Sequence, residues 1–358
     1  MPGDRYPRFR AAAVQAAPVF LDRDATIDKA VHLIEDAARQ GAELVVFPEV
    51  WVPAYPVWTL VYAPMDNHDF FRRLFDQSVK VPSPATEQLA AAARRAGVYV
   101  SIGINEKSDL SMGAIWNSNL LFDRQGRLIH HHRKLVPTFA EKLAWANGDG
   151  TGLRVVDTEL GRLGVLLCGE NTNPLARYAL LAQGEQVHLS TWPPLFPFKR
   201  PGAAQNYDLR QATLIRTAAH SVEGKVFTIV AAGVWDAAAT DIVAGERADI
   251  REVLERTPQA VSMILNPNGE LLAQLAPGEE GFAMAEIDLG ESILYKQIHD
   301  IVGYYNRFDI FELRLHRAPQ RPITIVEPLA GAVGAAPALD HDTALGSPAE
   351  SPRGAPAP

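Results

Sequence analysis

Gly164-Val165-Leu166-Leu167-Cys168-Gly169-Glu170-Asn171-Thr172-Asn173-Pro174-Leu175-Ala176-Arg177-Tyr178 holds the only cysteine of the 358-residue chain. Residues 164–167 are a short uncharged run rich in branched side chains, which reads as a buried strand. Asn173-Pro174 supplies an N-cap followed by the residue best suited to the first helical position, with Leu175, Leu180 and Leu181 as the apolar stripe behind it. Cys168 therefore falls on a strand-to-helix turn, where backbone amides and a helix dipole favour a thiolate. A lone cysteine after an apolar run is commonly a small buried hydrophobe. The polar cluster of residues 169–173 predicts the opposite here, a thiol out of the core.

Outward from this turn, strands and helices alternate. Residues 9–17 (FRAAAVQAA) read as a first strand among small residues. Asp24 reads as the cap of a helix to Arg39, with Ile27, Ala30, Val31, Ile34, Ala37 and Ala38 at helical spacing. Gly41 ends that helix and residues 44–47 (LVVF) form a second buried strand. A helix at 85–96, strands at 98–104, 114–122 and 128–133, and a hairpin turn at 123–126 follow, which announces an α/β fold. Strands at 155–157, 164–167, 186–190 and 226–231 and a helix at 209–220 continue the rhythm. Residues 260–265 and 282–287 are expected to pair across Asn266-Pro267-Asn268-Gly269. The charged stretch 236–257 lacks a clear period and reads as an excursion from the core. The organisation expected is an N-terminal segment (1–8), a single domain (9–326) and an Ala/Pro/Gly-rich tail (327–358), too poor in large apolar residues to offset its ordering entropy.

Composition narrows the partners. A net charge of −8 with no basic segment argues against nucleic acid and anionic membranes. A single cysteine forbids an internal disulfide and fits a reducing compartment, so a cytoplasmic location is expected. Residues 1–10 lack the apolar heart of a signal peptide, and no uncharged apolar run approaches the roughly 20 residues of a membrane span.

A thiol nucleophile needs a base and a donor for developing negative charge. Glu49, in Phe47-Pro48-Glu49-Val50-Trp51, follows an apolar strand, where ligands of α/β sheets gather. It is either a poorly solvated base or an exposed loop carboxylate. Lys134, in His132-Arg133-Lys134-Leu135, also follows a strand. It would lower the thiol pKa and steady an oxyanion, or it is a solvated strand-end lysine. His130, His131 and His132 point to alternate faces of a strand and cannot converge on one ion, so no metal site is expected.

In the order Glu49, Lys134, Cys168, these residues resemble the nitrilase (carbon–nitrogen hydrolase) superfamily, and within it the true nitrilases. The resemblance runs over about residues 9–315. Its blocks are Phe47-Pro48-Glu49 with Pro53-Ala54-Tyr55-Pro56; His132-Arg133-Lys134-Leu135 with Pro137-Thr138 and Glu141; Trp145 with Gly148-Asp149-Gly150; and Cys168 through Arg177. Asp300-Ile301-Val302-Gly303-Tyr304-Tyr305 resembles a late family stretch, with Tyr304 where a histidine is frequent.

The resemblance implies a four-layer α-β-β-α sandwich with Glu49, Lys134 and Cys168 meeting at one end of the sheets and Glu141 positioning the base and lysine. It implies hydrolysis of an organic nitrile to the acid and ammonia through a cysteine thioimidate and thioester, without cofactor or metal. Amidases, carbamoylases and cyanide-hydrolysing relatives share the Glu-Lys-Cys set, and a scaffold that keeps the fold without the chemistry is a further alternative. The expected substrate contacts are Tyr55, the backbone amide of Gly169, and Trp192. Trp192 opens the aromatic, proline-stiffened loop 192–198, read as a pocket wall or as core packing. That loop suggests a sizeable apolar substituent. A homo-oligomer, a dimer or a larger assembly such as a spiral, is also implied, with 236–257 and 300–325 as contact segments.

Overall fold

Small and branched residues buried on both faces decide the first strands. The computed structural model describes residues 6–199, 202–320 and 323; the tail expectation for 327–358 lies outside them. In β1 (Arg8–Gln15), Phe9, Ala11 and Ala13 face one apolar cluster while Ala12 and Val14 face another. That period of two, with both faces covered, explains why the strand reads as one continuous apolar run.

The chain continues through α1 (Arg23–Arg39), β2 (Leu44–Val46), α2 (Trp58–Val61), α3 (His68–Gln77), α4 (Pro84–Ala96), β3 (Tyr99–Lys107), β4 (Ile115–Phe122) and β5 (Leu128–Arg133). Then come β6 (Val156–Thr158), β7 (Gly161–Leu167), α5 (Pro174–Leu181), β8 (Val187–Trp192), α6 (Leu209–Gly224) and β9 (Phe227–Ala232). The last elements are α7 (Ala237–Ala244), α8 (Ala248–Arg256), β10 (Met263–Leu265), β11 (Leu271–Gln274), β12 (Gly281–Asp288) and α9 (Ser292–Ile298). The cap of α1 is Asp22, not Asp24. Asp22 has the extended backbone a cap needs and accepts from Ala25 N at 3.0 Å. Ser83 and Thr86 close a reciprocal capping box on α4, and Asn173 caps α5 as expected.

The strands form two six-stranded sheets, ordered β12-β1-β2-β3-β4-β5 and β11-β10-β9-β8-β7-β6. Leu44, Val46, Val165, Leu189, Phe227 and Ile229 pack between them. Ile27 and Ile34 of α1 and Leu89 of α4 cover Val45, Val100 and Ile102 on the outer face of the first sheet. Ala176, Ala179 and Leu180 of α5 cover Leu166 of the second. Each buried Val, Leu, Ile or Phe among them contributes roughly 1.5–3 kcal/mol by leaving water; helices over both outer faces of two packed sheets are the expected α-β-β-α sandwich. No described helix is long and apolar enough to cross a membrane.

Two expectations fail. Residues 260–265 and 282–287 do not pair: β10 turns through 266–269 into β11, while β12 lies antiparallel on β1 in the other sheet, Arg8 opposite Asp288 and Gln15 opposite Gly281. The half-exposed edge strand β11 has no apolar alternation and so leaves no mark in the sequence. The stretch 236–257 is no excursion: it forms α7 and α8, whose Ala239, Val243, Ile250 and Leu254 join the cluster that also holds Cys168.

Candidate active site

Each of the three strand-end residues is placed by a short chain reversal. After β2, Phe47 N still donates to Ser101 O at 2.7 Å, and the chain then turns through Val50, whose φ of 40° is unusual for a branched residue. The turn fits because residue 103 is glycine. A Cβ there would lie 2.3 Å from Pro48 O and Val50 N. After β5, Lys134 N donates to Asn117 O at 2.8 Å and its carbonyl accepts from Gly148 N at 2.8 Å. After β7 the chain enters a single-turn 3-10 segment at Cys168, with φ 46°.

These reversals bring the side chains together in a dry site. Lys134 Nζ donates to Glu49 Oε1 and to Glu141 Oε2, both at 2.7 Å, and all three side chains are fully buried. Carboxylate oxygens of Glu49 and Glu141 and the Cys168 sulfur lie within 4.8 Å of one another. Asn117 Nδ2 donates to Glu49 Oε1 at 2.6 Å, so two donors load one oxygen while Glu49 Oε2 has no hydrogen-bond partner among the described residues. Tyr55 OH donates to Glu141 Oε1 at 3.0 Å, Thr138 N donates to Oε2 at 2.7 Å, and Lys134 Nζ stands 5.6 Å from the Trp145 ring centroid.

Burial sets the electrostatics. It pushes Glu49 up to about 7, opposed by Lys134 and aided by the charge of Glu141. Burial alone would lower Lys134, but Glu141 and Glu49 outweigh it and hold the ammonium well above its ordinary range. The Cys168 thiol is likewise raised, first by burial and then by Glu49, with Lys134 and a hydrogen bond from the Gly169 amide pulling the other way. This corrects two expectations. Cys168 is buried, and its surroundings favour the thiol over the thiolate.

The polar cluster after the cysteine is buried because its groups are satisfied internally. Glu170 accepts from Leu135 N at 2.6 Å and Leu167 N at 2.8 Å, and His132 Nε2 lies 3.0 Å from its Oε2. One carboxylate thus ties the backbone just after Lys134 to the backbone just before Cys168, across the two sheets. His132 and these amides outweigh burial and lower the Glu170 pKa.

Sequence reasoning gave no role to Asn117, Glu170 or Trp145. The signal was the polar run Asn117-Ser118-Asn119 inside an apolar strand, whose three residues are all buried. The three histidines diverge as expected. His130 and His132 share the inner face, while His131 turns out to Glu106 Oε2 at 2.8 Å.

Trp192 is buried, with Nε1 donating to Ser190 Oγ at 2.8 Å and its carbonyl accepting from Glu49 N at 3.4 Å. Leu195 and Phe196 pack into the cluster of Cys168 and Tyr55. A cavity of about 10 Å³, bordered by Glu49, Tyr55, Pro194 and Trp235, has room for roughly one water. Tyr304 stands apart, on a groove of about 1440 Å³ shared with Tyr178, Phe308 and Phe311.

Residues 10–297 match the family described as carbon–nitrogen hydrolase. A protein named nitrilase 3, from an unknown prokaryotic organism, is 37% identical over 311 residues, 86% of this chain and 90% of its own length. The chain belongs to the carbon–nitrogen hydrolase family, in its nitrilase branch. A nitrilase of Bacillus sp. strain OxB-1 is 35% identical, over 89% of this chain and 91% of its own. Among solved structures, a carbon–nitrogen hydrolase from Helicobacter pylori G27 shares the fold, with a TM-score of 0.67 at 20% identity over 85% of this chain and 97% of that one. As a member of that family, the chain is a hydrolase of carbon–nitrogen bonds.

Proposed function

We propose that the chain hydrolyses an organic nitrile to the carboxylic acid and ammonia, with Cys168 as nucleophile, Glu49 as base, Lys134 as electrophilic partner and Glu141 as the group that positions Lys134. The observation that carries the reading is Glu49 Oε2. A buried carboxylate near 7 with one oxygen tied to Lys134 and Asn117 and the other without a partner is suited to taking a proton from a thiol within reach. The names of the two relatives above support the nitrile as substrate.

The Cys168 proton passes to Glu49 as sulfur adds to the nitrile carbon, and Glu49 delivers it to the nitrogen, giving a thioimidate and restoring the carboxylate. Lys134 and the Gly169 amide stabilise the charge growing on that nitrogen. Glu49 then activates a water that adds to the same carbon. Both protons of that water pass through Glu49 to the nitrogen, ammonia leaves as the C–N bond breaks and a thioester remains. A second water gives its hydroxyl to the acyl carbon and, through Glu49, its proton to sulfur, which releases the acid and restores the thiol. Tyr55 orients Glu141, and the Trp192 loop walls the acyl side. The reading includes a single domain over 9–326, no resident metal or cofactor, a cytoplasmic location and a homo-oligomer. Exposed Leu294, Ile298, Phe308 and Phe311 support the oligomer.

Ammonia and acid release from matched aliphatic, aryl and arylacetonitrile panels, beside the corresponding amides, tests the reading. Nitriles are expected to turn over and the amides not, and Cys168→Ala is expected to be inactive yet folded. Turnover by the alanine variant, or of amides alone, would overturn it.

A further inference from the structure

Behind the cysteine turn, four side chains without a part in the chemistry above form one buried hydrogen-bonded chain. Asn171 Nδ2 donates to Cys168 O at 3.0 Å and to Leu166 O at 3.4 Å. Those two carbonyls fix which way the amide faces, so Oδ1 points away from them, where His188 Nε2 lies 2.8 Å off. His188 Nδ1 meets Glu185 Oε1 at 2.7 Å, and Glu185 Oε2 meets His220 Nε2 at 2.8 Å. The four come from the cysteine turn, β8, the residues before β8, and α6, and each is buried. Gly164, on the strand that leads to Cys168, belongs to the same arrangement. A Cβ there would stand 2.0 Å from Glu185 Oε1, so only glycine leaves the carboxylate its seat.

Polar side chains at this depth are unfavourable unless each is paired, and a fully paired network fixes one geometry. The network touches the catalytic cluster at a single described contact, the Asn171 bond to the Cys168 carbonyl. That carbonyl belongs to a residue in the left-handed region, φ 46°, a conformation that persists in a non-glycine residue when its surroundings impose it.

We propose that Asn171, backed by His188, Glu185 and His220, is the positioning device that holds Cys168 in this backbone conformation and aims its sulfur between Glu49 and the Gly169 amide. The inference rests on Cys168 being the nucleophile. Both ring nitrogens of His188 face oxygens, Asn171 Oδ1 and Glu185 Oε1. Burial would raise Glu185, but His188 and His220 outweigh it and hold it at about 2. His220 donates through Nε2, and its Nδ1 has no partner among the described residues. Glu185, His188 and His220 also place three potential ligand atoms within 4.8 Å. A metal there would displace the protons that make the chain.

Three variants of the full-length enzyme separate these accounts. Asn171→Asp keeps the shape but, ionised, offers Cys168 O no donor. His188→Phe keeps a ring without donors. Glu185→Gln preserves every link, its amide donating to His188 Nδ1, His188 Nε2 to Asn171, and His220 to the amide oxygen. The readouts are kcat and KM on a nitrile the wild type turns over, per Cys168 titrated with iodoacetamide, alongside Tm and metal content.

In Asn171→Asp and His188→Phe, kcat is expected to fall about 10- to 100-fold with KM within about threefold. The double variant should be no worse than the worse single one, and Glu185→Gln should stay within about threefold of wild type. Wild-type kcat per titrated thiol in Asn171→Asp, an equal loss in Glu185→Gln, or stoichiometric transition metal that Glu185→Gln loses would overturn the inference. Activity of Cys168→Ala would instead remove the nucleophile on which it rests, a result separate from any kcat of the Asn171 variant.

Discussion

Glu141→Gln isolates the electrostatics of the site from its shape. The glutamine oxygen replaces Oε2, accepting from Lys134 Nζ and Thr138 N, and the amide nitrogen replaces Oε1, donating to a Tyr55 hydroxyl that now accepts. The Tyr55 O–H then has no acceptor among the described residues, and Lys134 Nζ and Thr138 N keep an acceptor that has lost its charge, a cost of about 1.5–3 kcal/mol of stability. The catalytic effect has a definite sign. The Glu141 charge is one of the causes that raise Glu49 to about 7, so removing it lowers the Glu49 pKa. At 4.8 Å, the upper limit of the separation of the two carboxylates, an effective dielectric near 20 gives about 3.5 kcal/mol, or about 2.5 pH units. Structural relaxation reduces that to between about 1 and 2.5 units. Glu49 works deprotonated, so wild-type kcat/KM should rise with pH through about 7. The variant's acidic limb should lie at least about one unit lower, with a plateau reduced about tenfold because a weaker base drives the thiol proton transfer. Initial rates across pH 4.5–9 on one nitrile, normalised to titrated Cys168, measure both. An acidic limb that stays in place or moves to higher pH would refute the view that Glu49 is the base whose pKa Glu141 elevates.

Glu49→Gln keeps the Lys134 contact in shape but removes the proton acceptor, so kcat/KM should fall by at least about 10²-fold; a loss below about threefold in steady-state rates would move the base elsewhere. Gly103→Ala places a methyl 2.3 Å from Pro48 O and Val50 N, and the Glu49 turn must shift to admit it. A cost of about 1–3 kcal/mol is expected from overpacking, seen as a lowered Tm together with reduced kcat. A variant with wild-type Tm and kcat would show that the turn has slack.

The sandwich was legible where both faces of a strand meet apolar layers, because the centres of β1, β2 and β7 (residues 11–14, 44–46 and 163–167) then read as runs of small or branched residues. It was illegible where pairing depends on distant chain. The choice of β1 as the partner of β12 is set by the sheet as a whole, and a plausible local turn at 266–269 drew the wrong hairpin. The stretch 236–257 failed for another reason. Its charges sit on the outer faces of two short helices, and Val243, Ile250 and Leu254 are too few to announce a period, though enough to close the cluster over the site.

The strand-end residues Glu49, Lys134 and Cys168 were legible because each ends an apolar run, yet the exposure of the cysteine was misread, and the reason bears on the chemistry. Gly169 to Asn173 look solvent-facing only if their polar groups need water. Glu170 finds two backbone amides and His132, and Asn171 finds two carbonyls and His188, so the turn closes over the thiol. A closed, dry turn raises the thiol pKa. It also raises Glu49 toward the value at which a carboxyl accepts a proton readily. Both shifts share one first cause, burial, and under the proposed roles they leave the proton on sulfur until the attack begins. The polar residues that misled the reading of exposure are those that close the turn and keep Cys168 buried beside Glu49.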